Sequence, residues 1–319
     1  ERLQQANLGP AMGIGAPVRS GGLLYNAAVV VEKGEIRGRY FKRCPPNYQV
    51  FDEKRYFAEG RDTLVMDIKG VPVGITVCED IWKDGPLEDA AAAGAQLILN
   101  LNASPYDIDK QARRKALLER KAADNRVSIV YTNLVGGQDE LVFDGSSYAV
   151  DHDGTEHQLL GDFVTGTAMV AFDPATHCFE SDAQAELTEG WHAEYRAAVL
   201  ALGDYVNKNK FPGVVLGMSG GIDSALTAAM AVDALGPDRV WCVMMPSKYT
   251  SSDSLEDAKA CAEALGVKYD SINIAPGVGA MGEMLADQFA GTKPDTTEEN
   301  IQSRLRAVTL MALSNKFGH

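Results

Sequence analysis

Long apolar runs are missing from this chain of 319 residues. None approaches the roughly 18 residues that cross a bilayer, so no membrane helix is expected. Basic residues are in deficit as well. Lysine and arginine number 30 against 44 aspartates and glutamates, a net charge of −14, which argues against nucleic acid or an anionic membrane as partner. Cysteine is scarce. Cys44, Cys78, Cys178, Cys242 and Cys261 are odd in number and lack C-x-x-C spacing, which fits a reducing cytoplasm better than a disulfide scaffold or a zinc site. There is no secretory pattern at the start, no repeat at solenoid periods and no low-complexity tract.

Apolar residues make up 45% of the chain, enough to fill real cores, and the length suggests two domains. The chain begins with Glu1 and stops at His319 directly after a helical run. It reads as a fragment cut at both ends.

Residues 1–20 combine helix-forming residues with a Gly/Pro loop. Leu23–Val31, the turn EKGE and IRGRYFK then read as a β-hairpin. Lys42–Gly60 is mostly loop, and DTLVMDIKGVPVGITVC supplies two strands. Helices are expected in EDIWKDGPLEDAAAAGA and DKQARRKALLERKAADNR, and strands in QLILNLNASP and SIVYTNLVGG. DELVFDGSSYAVDHDGT reads as a hairpin. Strands and helices that alternate and then give way to antiparallel pairs suggest an α/β sandwich. The acidic stretch DPATHCFESDAQAELTE lacks apolar periodicity and is taken as the linker. The expected division is 1–174, a linker over 175–187, and 188–319.

The second part alternates strand and helix, a parallel doubly wound pattern whose ligands sit at the carboxyl ends of strands. Its organising stretch is VVLGMSGGIDSALTAAMAVDA, Val214–Ala234. An apolar strand, a Gly-rich turn and a helix aim several N–H groups and a helix N-terminus at one point, which attracts phosphate. Gly220 and Gly221 are expected to take positive φ and admit an anion closely. Ser219 and Ser224 add hydroxyl groups. Asp223 would repel phosphate unless it holds a bridging Mg²⁺. The plain alternative is a helix start with two glycines and a capping Asp. The loop is not a Walker A sequence; it resembles the SGGxDS loop of the ATP pyrophosphatases.

In the first part, Cys78 ends the strand VPVGITVC, where a strand-to-turn junction can present a nucleophile and the Glu79 N–H can face an oxyanion. Taken alone, a cysteine there is more often a small core residue. Upstream, Lys42, Tyr48 and Glu53 lie among aromatics in YFKRCPPNYQVFDEKRYF. A lysine held near a thiolate and a glutamate can deliver positive charge to a tetrahedral intermediate.

YFKRCPPNYQVFDEKRYF, GITVCEDIW, NASPYDIDKQARRK and FDGSSYAVDHDGT resemble the nitrilase-type glutaminase domain of the glutamine-dependent NAD⁺ synthetases. The likeness continues through AAVLALGDYVNKNKF, SGGIDSA, MMPSKYTSSDSLEDAKACAEALG and TTEENIQSRLRA. It implies a nitrilase-like α-β-β-α sandwich followed by a doubly wound, Rossmann-like ATP pyrophosphatase domain. It makes Cys78 the nucleophile, Lys42 the catalytic lysine and Glu53 the second glutamate, with Tyr48, Ser104 and Lys110 lining a glutamine pocket. Gly217, Ser219, Gly220, Gly221, Asp223 and Ser224 would hold ATP, with Asp223 on Mg²⁺, and an adenosine pocket would form over Pro246–Ser251. Asn300 and Arg304 would contact nucleotide ligands; by composition alone their helix is a solvated amphipathic one.

The activity implied is amidation of deamido-NAD⁺ to NAD⁺, driven by ATP and fed with ammonia from glutamine along a shielded path. A homo-oligomer is implied as well. The alternatives are another glutamine-fed amide synthetase of the ATP pyrophosphatase group, or an inactive nucleotide-binding fragment. Two family segments have no counterpart here: the general-base glutamate upstream of the lysine motif, which Glu32 and Glu35 do not replace, and the downstream T-G-N-K-S-E segment. Impaired turnover is expected on both grounds.

Overall fold

The computed structural model describes residues 9–181, 185–247 and 250–319. It divides into two compact units, Glu1–Gly136 with Leu141–Glu194, and Gly137–Glu140 with Tyr195–His319. The helix-forming residues at the very start, part of the acidic linker, and Lys248 and Tyr249 of the adenosine segment lie outside the described residues.

The first unit opens with an antiparallel sheet of β1 (Met12–Ser20), β2 (Leu23–Glu32) and β3 (Glu35–Phe41) in that order. Lys33 and Gly34 join β2 to β3 with φ of 50° and 78°, the positive pair that a two-residue hairpin turn requires. β1 corrects the Gly/Pro loop expected there. Met12, Ile14, Ala16 and Val18 point inward in strict alternation, while Gly13, Gly15 and Pro17 fall on the exposed side. Pro17 is tolerated because β1 is an edge of its sheet.

A second sheet begins with the hairpin β4 (Val65–Ile68) and β5 (Val71–Val77). Helix α1 (Pro86–Ala92), β6 (Leu97–Asn102), α2 (Lys110–Asn125) and β7 (Ser128–Asn133) follow, with β5, β6 and β7 parallel. The expected single strand SIVYTNLVGG is two strands, because β8 (Val135–Gln138) leaves to pair with β9 (Leu141–Asp144). The hairpin expected over DELVFDGSSYAVDHDGT does not form. Gly145 and Ser146, with φ of 68° and 52°, redirect the chain so that β10 (Tyr148–Val150) lies antiparallel to β7 and to β11 (Glu156–Gln158). The resulting sheet runs β11-β10-β7-β6-β5-β4.

The side-chain period of two gives this sheet two buried faces. Ile98, Ile129, Tyr131 and Tyr148 pack against Leu87 and Ala90 of α1 and Leu118 and Ala122 of α2. On the other face Val73, Ile75 and Val77, with Leu97, Leu99 and Leu101, meet Ala28, Val30 and Tyr40 of the first sheet. Helix, sheet and sheet are the layers among the described residues. A short hairpin of β12 (Ala171–Asp173) and β13 (Cys178–Glu180) packs Phe179 against Ala149 and Leu159.

The second unit takes up α3 (Gly190–Lys208) from Tyr195 on, which leads to a parallel sheet of β14 (Val214–Gly217), β15 (Val240–Met244) and β16 (Lys268–Ser271). Between the strands run α4 (Ile222–Leu235) and α5 (Ser252–Leu265); α6 (Ala275–Met284) and α7 (Thr296–Phe317) complete the unit. Ala228 and Ala231 of α4 and Ala258 of α5 cover one face of the sheet. Leu310 and Leu313 of α7 and Val278 of α6 cover the other, the doubly wound arrangement. α7 opens on a capping box. Asp295 accepts the Thr297 N–H at 2.8 Å, and Glu298 returns to the Asp295 N–H at 2.8 Å. Among the described residues no helix is long and apolar enough to cross a membrane.

Candidate active sites

Lys42 follows the last residue of β3, at the edge of the sandwich, and its side chain is 1% exposed. Its Nζ lies 2.8 Å from both carboxylate oxygens of Glu53, which sits on a single helical turn, Glu53–Arg55. A buried ammonium needs such a partner, since an unpaired charge here would cost several kcal/mol.

Cys78 leaves β5 at a φ of 48°. A left-handed conformation at a residue with a Cβ costs roughly 1 kcal/mol, and it turns the thiol out of the strand at the start of the turn Cys78–Ile81. Burial pushes the thiol above its ordinary range. Lys42 and the backbone N–H of Ala103, beyond the end of β6, act in the opposite direction, while Glu53 and Glu79 add to the rise. Lys42, Glu53 and Cys78 thus lie within electrostatic reach of one another.

Tyr48 donates its hydroxyl to both oxygens of Glu79 at 2.8 Å; burial, then this hydrogen bond, raises the phenol well above its usual value. Ser104 is buried, its N–H donated to Asn133 at 2.9 Å. Lys110 opens α2. Burial, then Arg114, hold its ammonium below the ordinary range while the Cys78 thiolate favours it, and its Nζ stands 5.9 Å from the Phe51 ring centre. Tyr48 and Lys110 therefore come from separate segments within electrostatic reach of one thiol, and Ser104 follows Ala103, whose N–H faces that thiol.

Beneath them lies a second buried network. Arg114 spans Asp144 with contacts of 3.3 and 3.2 Å, Asp144 also accepts from Asn133 at 3.1 Å, and the guanidinium sits 5.2 Å from the Tyr131 ring centre.

The other site lies at the carboxyl ends of β14 and β15. A cavity of about 630 Å³ is lined by Gly217, Met218, Ser219, Met244, Met245, Ser254, Ser303 and Arg306, among others. Ser219 and Ser224 are tied Oγ to Oγ at 3.0 Å, Ser224 accepts the Ser219 N–H at 3.2 Å, and Ser219 accepts the Gly221 N–H at 3.2 Å. These bonds fix the shape of the loop at the start of α4.

The two glycines differ, which corrects the expectation of positive φ at both. Gly220 has φ of 82°, and a Cβ there would lie 2.3 Å from the Ser254 carbonyl oxygen. Gly221 is extended, with φ −92° and ψ 162°. Asp223 stands exposed in the first turn of α4. Asn300 and Arg304 are exposed on α7, where Arg304 reaches the Asn300 carbonyl at 3.4 Å. The residues of α7 that line the cavity are Ser303, Arg306, Ala307 and Leu310.

The family model for carbon-nitrogen hydrolases matches residues 4–177, and that for NAD synthases matches residues 194–319. This chain belongs to the carbon-nitrogen hydrolase family. A glutamine-dependent NAD⁺ synthetase of Xanthomonas campestris is 46% identical over 99% of this chain and 58% of its own length. One from Thermotoga maritima is 43% identical over 92% of this chain and 57% of its own. The solved structure of the Acinetobacter baumannii glutamine-dependent NAD⁺ synthetase, in complex with ADP, superposes with a TM-score of 0.95. It is 40% identical, over 99% of this chain and 61% of that one. The chain thus spans about three fifths of the relatives it matches.

Three features of these family sites escape a reading of motifs. Asp80 is fully buried and accepts four hydrogen bonds; the segment C-E-D shows only that two carboxylates follow the cysteine. Glu79 is the partner of Tyr48, 31 residues away. Arg306 donates to the Met245 carbonyl at 3.2 Å, 61 residues away. Each is defined by partners that no local spacing reveals.

Proposed function

We propose that the first unit releases ammonia from glutamine and that the second uses it, with ATP, to convert the carboxylate of deamido-NAD⁺ into the amide of NAD⁺. The observation that carries this is the meeting at Cys78 of a buried ammonium, the carboxylate that holds it, and a left-handed turn at the nucleophile, in a chain whose other half matches NAD synthases. The domains assigned are 1–174 for the glutaminase, 175–187 for the linker and 188–319 for the synthetase, although β13 within that linker packs Phe179 into the first unit.

Sγ of Cys78 attacks the side-chain carbonyl of glutamine. Lys42, oriented by Glu53, stabilises the oxyanion that develops, and collapse expels ammonia and leaves a thioester that water hydrolyses to glutamate. Tyr48, Ser104 and Lys110 line the glutamine pocket. Glu79, a carboxylate beside the thiol, suits the α-ammonium end of an amino-acid substrate.

In the second unit, Gly217, Ser219, Gly220, Gly221 and Ser224 at the start of α4 would cradle ATP phosphates. The nicotinate carboxylate attacks the α-phosphorus, pyrophosphate leaves, and ammonia displaces AMP from the adenylate. Asn300 and Arg304 are assigned to the nucleotide ligands outside the cavity itself. The donors here are oxygens, one exposed carboxylate and two hydroxyls, and no group of three His, Cys, Asp or Glu side chains suited to a metal occurs among the described residues. That fits Mg²⁺, which keeps waters and substrate phosphates and takes few protein carboxylates. Asp223 would hold it, and the ion would neutralise phosphate charge.

A homo-oligomer in the cytoplasm completes the assignment; the five free cysteines suit a reducing compartment. The test is incubation with a glutamine analogue that carries an electrophilic diazoketone, followed by mass spectrometry of peptides. A single adduct on Cys78, absent in Cys78→Ala, is expected. An adduct on another cysteine, or none, refutes the glutaminase assignment.

A further inference from the structure

The two reactive side chains of the first unit belong to different sheets. Lys42 follows β3 of the three-stranded sheet, and Cys78 follows β5 of the six-stranded one. Between them the sheets meet through the apolar layer of Ala28, Val30, Tyr40, Val73, Ile75 and Val77. Apolar burial is strong but non-directional; alone it sets the spacing of two sheets better than their lateral register.

One carboxylate crosses that layer. Oδ1 of Asp80 accepts the N–H of Arg43 at 3.1 Å and of Cys44 at 2.8 Å, the two residues after Lys42. Oδ2 accepts the N–H of Val77, the residue before Cys78, at 3.1 Å, and the hydroxyl of Tyr40, two residues before Lys42, at 2.8 Å. Asp80 itself sits in the turn that begins at Cys78. Both flanks of the lysine and the strand side of the cysteine are therefore bonded to a single fully buried group.

We infer that Asp80 is the positioning residue of the glutaminase site: it fixes Lys42 relative to Cys78 by pinning the ends of β3 and β5 to one carboxylate. It touches no substrate. This rests on the proposed glutaminase reading and deepens it. Hydrogen bonds to a charged acceptor are short and directional, and four of them leave the two strand ends little room to slide. A displacement of about 1 Å between a nucleophile and the group that stabilises its oxyanion can cost up to about a hundredfold in rate.

The experiment measures inactivation of the chain by the same diazoketone analogue of glutamine, with the maximal rate and the half-saturating concentration read separately. Asp80→Asn keeps the shape but turns one acceptor into a donor, so it leaves one pair of donors without a partner. The maximal rate is expected to fall about ten- to hundredfold, with half-saturation changed by less than about twofold, because Tyr48, Glu79 and Lys110 stay in place. Tyr40→Phe removes one of the four bonds and is expected to lower the maximal rate in the same direction by a smaller factor. It carries the test should Asp80→Asn fail to fold.

Val73→Ala, in the same apolar layer, is the control for general loosening. If it lowers the melting temperature as much as Asp80→Asn and slows inactivation equally, the inference is overturned. So it is if both Asp80→Asn and Tyr40→Phe, folded, react as fast as the parent, or if half-saturation alone shifts. A parent chain that never reacts at Cys78 would instead sink the glutaminase reading beneath it.

Discussion

Replacing Gly220 by alanine tests why the phosphate-type loop needs its first glycine. Two costs add. The residue has φ of 82°, and a Cβ in that region costs about 1–2 kcal/mol. The new methyl would also stand 2.3 Å from the carbonyl oxygen, 2.9 Å from Cα and 3.0 Å from the carbonyl carbon of Ser254, all backbone at the start of α5. Ordinary contact begins at 3.4 Å, so loop and helix must part by about 1 Å, an overpacking strain of about 1–3 kcal/mol. The sum, about 2–5 kcal/mol, lowers the melting temperature of a unit this size by on the order of 10 °C. A shift of that size also carries the loop N–H groups beyond hydrogen-bond reach of a bound phosphate. Losing one charge-assisted bond weakens ATP affinity by roughly ten- to hundredfold.

The comparison is Gly221→Ala. Its φ of −92° and ψ of 162° suit any residue, and its Cβ would meet only the Ser219 Oγ at 3.4 Å. The expected cost is about 0.5–1 kcal/mol for a poorer N-cap. Thermal unfolding and ATP titration of the two variants decide the matter. If Gly221→Ala costs as much stability as Gly220→Ala, the packing of the loop on Ser254 is not what demands the glycine.

Two other outcomes are expected. Asp144→Asn leaves the Arg114 guanidinium, 1% exposed, without its counter-charge and should lower stability by about 3–5 kcal/mol in a denaturant titration; a loss below about 1 kcal/mol would show that Arg114 finds another partner. Because burial favours the neutral Cys78 thiol, thiolate forms later than in a free cysteine as pH rises. Alkylation by iodoacetamide should therefore still be climbing at the ordinary thiol value, about 9. A plateau reached below that pH would contradict the direction of the shift.

Much of the architecture is legible in local sequence. The SGGIDS turn after an apolar strand, the alternation of strand and helix, and the thiol at the end of VPVGITV all translate directly into places in the fold. β1 is not legible by composition, because two glycines and a proline occupy its outward positions and hide the inward alternation of Met12, Ile14, Ala16 and Val18. The departure of β10 from β9 turns on positive φ at Ser146, which no rule about serine predicts. Asp80 and Glu79 are seen in the sequence only as two acids after a cysteine. Tyr48, Cys44, Arg43 and Tyr40 lie 31 to 40 residues upstream of the acid each one bonds, and three of the four donors to Asp80 are backbone N–H groups, which any residue but proline supplies.

The turn at Cys78 has a consequence for how this chain tolerates change. Its backbone is one that glycine would occupy more comfortably, by about 1 kcal/mol. Random drift that favours a sturdier fold therefore pushes against sulfur at this position. The residue proposed as nucleophile is also one the scaffold would rather give up, and on that proposal only continued demand for the reaction keeps it there.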